Sequence, residues 1–113
     1  MINNIYSFIG LAKKAGKLIS GDETCERAVK AGKVKLVIIA DDASENTKKK
    51  FMDICRYRGI EVRYFGEKEL LGKHIGKDMR SVVAVTGREF AERLKQLIDS
   101  RSKDNGGGII GES

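Results

Sequence analysis

The chain has 113 residues, of which 41% are hydrophobic and 34% charged, with a formal net charge of +6. That length holds one domain with a single core, and the longest apolar run, Leu36 to Ala40, is too short to cross a bilayer. Two isolated cysteines, Cys25 and Cys55, and one histidine, His74, give neither a disulfide framework nor a metal-ligand spacing. No membrane, metal or cofactor is therefore expected. The charges of MINNIYSFIGLAKKAGK follow its apolar residues, the reverse of a secretory signal, and a cytoplasmic protein is expected.

In chain order, Ile5, Phe8, Ile9 and Ala12 recur at helical spacing and predict a helix from about Asn3 to Ala15. KLIS at 17–20 reads as a short strand. Next comes SGDETCERAVKAGK, a helix whose inner face is Cys25, Ala28 and Val29 and whose start crowds three acids into a basic chain. Local rules offer two caps for it: Ser20 with Glu23 as an S-x-x-E capping box, or Asp22 for a helix that begins one turn later. KLVIIA at 35–40 is a strand buried on both faces. DDASEN leads into a third helix, capped near Ser44 and ended by Gly59, with Phe51, Ile54 and Cys55 inward.

EVRYF at 61–65 alternates as a strand, Glu67 to His74 forms a short helix, and VVAV at 82–85 is another buried strand. Phe90, Leu94, Leu97 and Ile98 mark the last helix. Strands alternating with helices imply α/β architecture, a three-layer α/β/α sandwich. The domain is expected over residues 1–100, with a flexible glycine-rich tail at 101–113.

Enzyme chemistry finds little footing. Asp41 and Asp42 follow a buried strand, where α/β sheets place ligands, but lack the earlier acidic pair and later lysine of a phosphoacceptor site. An acidic loop feeding a helix start explains them better. His74, in the last turn of a short helix, suits a dipole partner. No nucleophile elbow, phosphate loop or dinucleotide fingerprint is present. The expectation is a protein that is not an enzyme.

The basic residues carry the stronger signal. KKAGK at 13–17 surrounds a turn, and Glu23, Arg27 and Lys30 point outward together from the second helix. A Glu23 to Arg27 ion pair is the bland reading of that face, and KKK at 48–50 is a solvated helix face or a second basic patch. Capping does not explain Gly21, which stands on a strand-to-helix turn where backbone approaches a ligand closely and free N–H groups attract phosphate.

With these residues in view, the sequence resembles the L7Ae family of kink-turn-binding ribosomal proteins, in its small bacterial YlxQ-like branch. The resemblance covers about residues 3 to 98. It rests on G-x(10)-G-x-x-KLVIIA-DDAS-ENTKKK from Gly21 to Lys50 and on LGKHIGKDMRSVVAV at 71–85. It implies a four-stranded mixed sheet and RNA binding. Family members grip a kink-turn, a sharply bent duplex with tandem sheared G·A pairs and an extruded base. The second helix enters the groove at the G·A pairs, and the loop before the last strand covers the extruded nucleotide.

Carried over by position, the resemblance implies an RNA-binding set of Gly21, Glu23, Thr24, Arg27, Lys30, Lys77, Met79 and Arg80. Gly21 matches the glycine that lets backbone and RNA approach. Glu23 and Thr24 stand where relatives have asparagine and glutamate, and Arg27 replaces a lysine. Met79 could pack on the extruded base and Arg80 could stack or bind phosphate. The implied function is a non-enzymatic protein recognising structured, kink-turn-like RNA, ribosomal RNA included, beside ribosomal or ribonucleoprotein partners. The alternative is a protein-interaction adaptor that keeps the fold but has lost specific RNA binding.

Overall fold

The computed structural model describes the backbone of residues 2–107 and the side chains of residues 4–101. Nine elements alternate: α1 (Ile2–Lys14), β1 (Leu18–Ser20), α2 (Asp22–Lys30), β2 (Leu36–Ile39), α3 (Glu45–Arg58), β3 (Glu61–Tyr64), α4 (Lys68–His74), β4 (Val82–Val85) and α5 (Arg88–Gly107). The four strands form one sheet in the order β1-β4-β2-β3. β4 is antiparallel to both β1 and β2, and β2 is parallel to β3, so the sheet is mixed.

β2 and β4 occupy the centre and are buried along their whole length, as their continuous apolar sequences require. α2 and α3 pack together on one side of the sheet; α1, α4 and α5 pack on the other. Each helix turns apolar residues inward: Ile5, Ile9 and Ala12 from α1, Cys25 and Val29 from α2, Phe51 and Cys55 from α3, Leu71 from α4, and Ala91, Leu94 and Ile98 from α5. The result is the three-layer α/β/α sandwich. None of the described helices is long and apolar enough to cross a membrane.

Ser44 caps α3 by accepting from the Thr47 N–H at 3.1 Å, and Gly59 ends it in the left-handed conformation. α5 continues to Gly107, past the boundary read at residue 100, because nothing before the glycines at 106 and 107 stops a helix. The tail expected at 101–113 is thus helical over 101–107, and 108–113 lie outside the described residues.

Candidate nucleic-acid interface

The strand order brings two distant segments together. Because β1 pairs antiparallel with β4, with Ser20 opposite Val83, the chain leaving β1 runs beside the chain entering β4. The Gly21 N–H donates to the Val82 carbonyl at 3.1 Å. Arg80 then crosses from the loop before β4, and its Nε donates to Ser20 Oγ at 3.1 Å. The start of α2 and the 76–81 loop therefore form one surface.

Gly21 begins this surface at φ 99° and ψ 149°, a conformation essentially restricted to glycine. A Cβ there would meet no atom within 4 Å, so the backbone conformation demands glycine and the space outside is open. Both cap assignments read from the sequence are corrected. Gly21 occupies the N-cap position, and no side chain caps α2 among the described residues. Ser20 Oγ is engaged by Arg80, and Asp22, now the first helical residue, is engaged by Lys50 of α3. The leading N–H groups of α2 meet no capping side chain among the described residues, and the positive end of the helix dipole lies behind them.

Lys50 accounts for two of the three clustered acids. It bonds the Asp22 carboxylate and also Glu26 Oε1 at 3.1 Å, while Lys30 takes Glu26 Oε2 at 2.9 Å. Hydrogen bonds from Lys30 and then Lys50 hold the Glu26 carboxyl below its usual range, and chiefly Asp22 raises the Lys50 ammonium above its own. The clamp ties α2 to α3 and compensates the carboxylates of Asp22 and Glu26. The other two lysines of the KKK run pair within α3, Lys48 with Glu45 and Lys49 with Asp53. That run is an internally compensated face and forms no second basic patch.

Glu23, Thr24 and Arg27 remain exposed. The ion pair expected between Glu23 and Arg27 is not formed, which leaves both polar ends available on α2. Lys30 stands apart from Gly21, about 13 Å along the helix axis at 1.5 Å per residue, and is already held by Glu26.

The second half of the surface depends on Gly72. A Cβ there would lie 1.7 Å from the Asp78 carbonyl oxygen, so only glycine lets the loop fold back on α4. The Lys77 N–H donates to the Gly72 carbonyl at 2.8 Å, and the Arg80 N–H donates to the Lys68 carbonyl at 3.0 Å. Met79 at the tip is 60% exposed, and Lys77 is exposed beside it. Among the described residues Arg80 bonds only neutral acceptors, Ser20 Oγ and the Met79 carbonyl, and no carboxylate compensates its charge. Sequence reasoning missed Lys50, Ser20 and Gly72 as supports of the site, because each acts through a partner visible only in three dimensions.

The remaining candidates have structural roles. Asp42 Oδ1 accepts from the Lys68 N–H at 2.9 Å and so caps α4 from another loop. His74 closes α4, its Nδ1 2.9 Å from the Leu70 carbonyl and its ring stacked on Tyr6 at 4.8 Å. Both cysteines are buried, which pushes the Cys25 thiol up to about 12 and the Cys55 thiol up to about 11.

Residues 3–95 match the sequence profile of the Ribosomal protein L7Ae/L30e/S12e/Gadd45 family. The chain belongs to that family. Within the L7Ae family it is similar to the RNA-binding protein YlxQ of Bacillus subtilis (strain 168), 38% identical over 83% of this chain and 94% of that one. YlxQ of Enterococcus faecium is 42% identical over 82% and 89%. These place the chain in the bacterial YlxQ-like branch. Among solved structures, a Bacillus halodurans C protein of unknown function superposes with a TM-score of 0.81 at 41% identity, covering 84% of this chain and 96% of that one. The Giardia lamblia 15.5kD RNA binding protein shares the fold, with a TM-score of 0.72 at 17% identity over 88% of each chain.

Proposed function

We propose that the protein is a non-enzymatic RNA-binding protein that recognises structured, kink-turn-like RNA in a ribosome-associated setting. The observation that carries this reading is the uncapped start of α2 at the open backbone of Gly21, placed beside the exposed Met79 and the uncompensated Arg80. In this reading the first N–H groups of α2 meet the RNA backbone. Glu23 accepts from a guanine amino group, Thr24 donates or accepts, and Arg27 reaches a phosphate or a guanine edge. Met79 packs on an extruded base, Arg80 stacks on it or bonds phosphate, and Lys77 and Lys30 supply charge. The names of the YlxQ relatives support the RNA partner.

The test is a titration at moderate salt with a kink-turn RNA, the same RNA with Watson–Crick pairs in place of its G·A pairs, and a plain hairpin. Preference for the first is expected. Equal affinity for all three would remove kink-turn recognition, and no binding even at low salt would leave the protein-interaction adaptor. Arg27→Glu is expected to weaken RNA binding at least tenfold with an unchanged melting temperature, because Arg27 is exposed and forms no ion pair among the described residues. Normal binding by that variant would mean the wrong helix face.

A further inference from the structure

We propose that the opposite end of the sheet is a second RNA-contacting surface, which holds the phosphate backbone of a duplex while the α2 start holds the kinked element. The proposal rests on the RNA-binding reading above and extends it to a different part of the molecule.

Strand register defines that end: Leu18, Val85, Leu36 and Glu61 lie in one row across the sheet. Four connections meet there; the α3–β3 turn follows Arg56 and Arg58 in the last turn of α3, and the other three carry the cations at issue. The α1–β1 turn brings Lys13, Lys14 and Lys17, the α2–β2 turn brings Lys33 and Lys35, and the β4–α5 turn brings Arg88. Backbone bonds tie the three together: the Thr86 N–H donates to the Lys17 carbonyl at 2.9 Å, and the Lys35 N–H donates to the Val85 carbonyl at 2.8 Å. The aliphatic stem of Lys17 also lies against Gly87.

These six cations form no ion pair among the described residues, a state that Arg27, Arg56, Arg58 and Lys73 share, so their gathering at one end rather than the missing partner sets them apart; the paired cations Lys30, Lys48, Lys49, Lys50, Arg63 and Lys95 stand elsewhere on the molecule. The acids nearby are Glu89, next to Arg88 in sequence, and Glu61, which Arg63 bonds at 3.1 Å. Helix stability explains only part of the set. Lys13 and Lys14 suit the negative end of the α1 dipole, but Lys17 and Lys35 precede strands, and Arg88 opens α5, where a cation opposes the dipole. An anion outside the chain gives all six a common purpose.

A phosphate backbone fits better than a lipid surface. The turns at 13–17, 33–35 and 86–88 carry no exposed large apolar side chain to insert into a membrane.

The test uses the full chain saturated with a short kink-turn RNA, then titrated with a fluorescent plain RNA duplex of about 16 base pairs and followed by anisotropy. A ternary complex is expected. Raising salt from 50 to 200 mM should weaken the duplex step about 100-fold if four phosphates are neutralised. Replacing Lys14, Lys17, Lys33 and Lys35 together with Gln should weaken that step at least tenfold and leave kink-turn affinity within threefold, while the same four changed to Arg should retain it. Displacement of the first RNA by the duplex, or duplex binding by the Gln variant equal to the parent, would overturn the proposal.

If the kink-turn RNA does not bind, the preceding reading fails, and duplex binding to the free protein still decides this one. Loss in the Gln variant with retention in Arg27→Glu supports it, and equal loss in both overturns it. Binding of phosphatidylglycerol vesicles through the same four lysines, without duplex binding, would overturn the assignment to RNA.

Discussion

Lys50 offers the sharpest test of how a basic protein tolerates acids at a helix start proposed to meet RNA. Lys50→Gln removes the cation shared by Asp22 and Glu26 and leaves two carboxylates on α2 with only Lys30 nearby. The Lys50 side chain is 36% exposed, so each of its pairs contributes in the range of surface ion pairs, about 0.2 to 1 kcal/mol. Losing both should cost about 1 kcal/mol and lower the melting temperature by about 4 °C. The effect on RNA has a different origin. Losing one positive charge beside the proposed phosphate-facing helix start should weaken the complex about threefold at 0.1 M salt, the scale of a single screened charge interaction near a protein surface.

Calorimetry and anisotropy on the same variants separate the two effects. Adding Asp22→Asn and Glu26→Gln to Lys50→Gln should restore RNA affinity to at least the parental value, because the net charge of the trio rises from −1 in the parent to zero. Stability should not recover, since the bridge between α2 and α3 is still missing. RNA affinity unchanged by Lys50→Gln at low salt would refute the reasoning, because it would mean that these carboxylates do not face the RNA.

Gly72→Ala should cost more than 2 kcal/mol, about 8 °C in melting temperature, because the Asp78 carbonyl must move by more than an ångström; an unchanged melting curve would contradict the close approach. The stability difference between the parent and Lys50→Gln should be flat between about pH 5 and pH 10. A carboxyl depressed below 4.5, as in Glu26, stabilises fully above that value and stops doing so as pH falls through its folded pKa; an ammonium raised above 10.5, as in Lys50, stabilises fully below that value and stops as pH rises through its own. A difference that widened in acid would reverse this sign. At pH 8 neither cysteine of the native protein should react with a thiol reagent faster than global unfolding allows, and rapid labelling of Cys25 would contradict its burial.

The features written in local sequence were legible. LVII and VVAV announce buried strands because their apolar residues are contiguous, and Ser44 announces a cap because its acceptor and the Thr47 donor are three residues apart. The start of α2 was misread for the same reason: Ser20 and Asp22 both satisfy the local capping pattern, but distant groups compete for them. Arg80 is 60 residues from Ser20, and Lys50 is 28 from Asp22. Periodicity supplies no register, so that competition could not be weighed. The same limit hid the meeting of the Gly21 turn with the 76–81 loop, since nothing in VVAV says that it pairs with LIS. Resemblance to the L7Ae family supplied the mixed sheet and the residues of the surface; the diversion of both caps came from the structure alone.

The central position of β4 also orders events during synthesis. β4 is the last strand to be made, yet it lies between β1 and β2, which touch only through it. A nascent chain that has released β1, β2 and β3 has no partner for β1 and no anchor for the Gly21 N–H, whose acceptor is the Val82 carbonyl. The α2 start therefore takes its open conformation only after residue 85 has left the translating ribosome. Long-range pairing of this kind forms late and all at once. A truncated product ending before β4 would lack the assembled surface, so incomplete chains would not compete with finished ones for the same RNA.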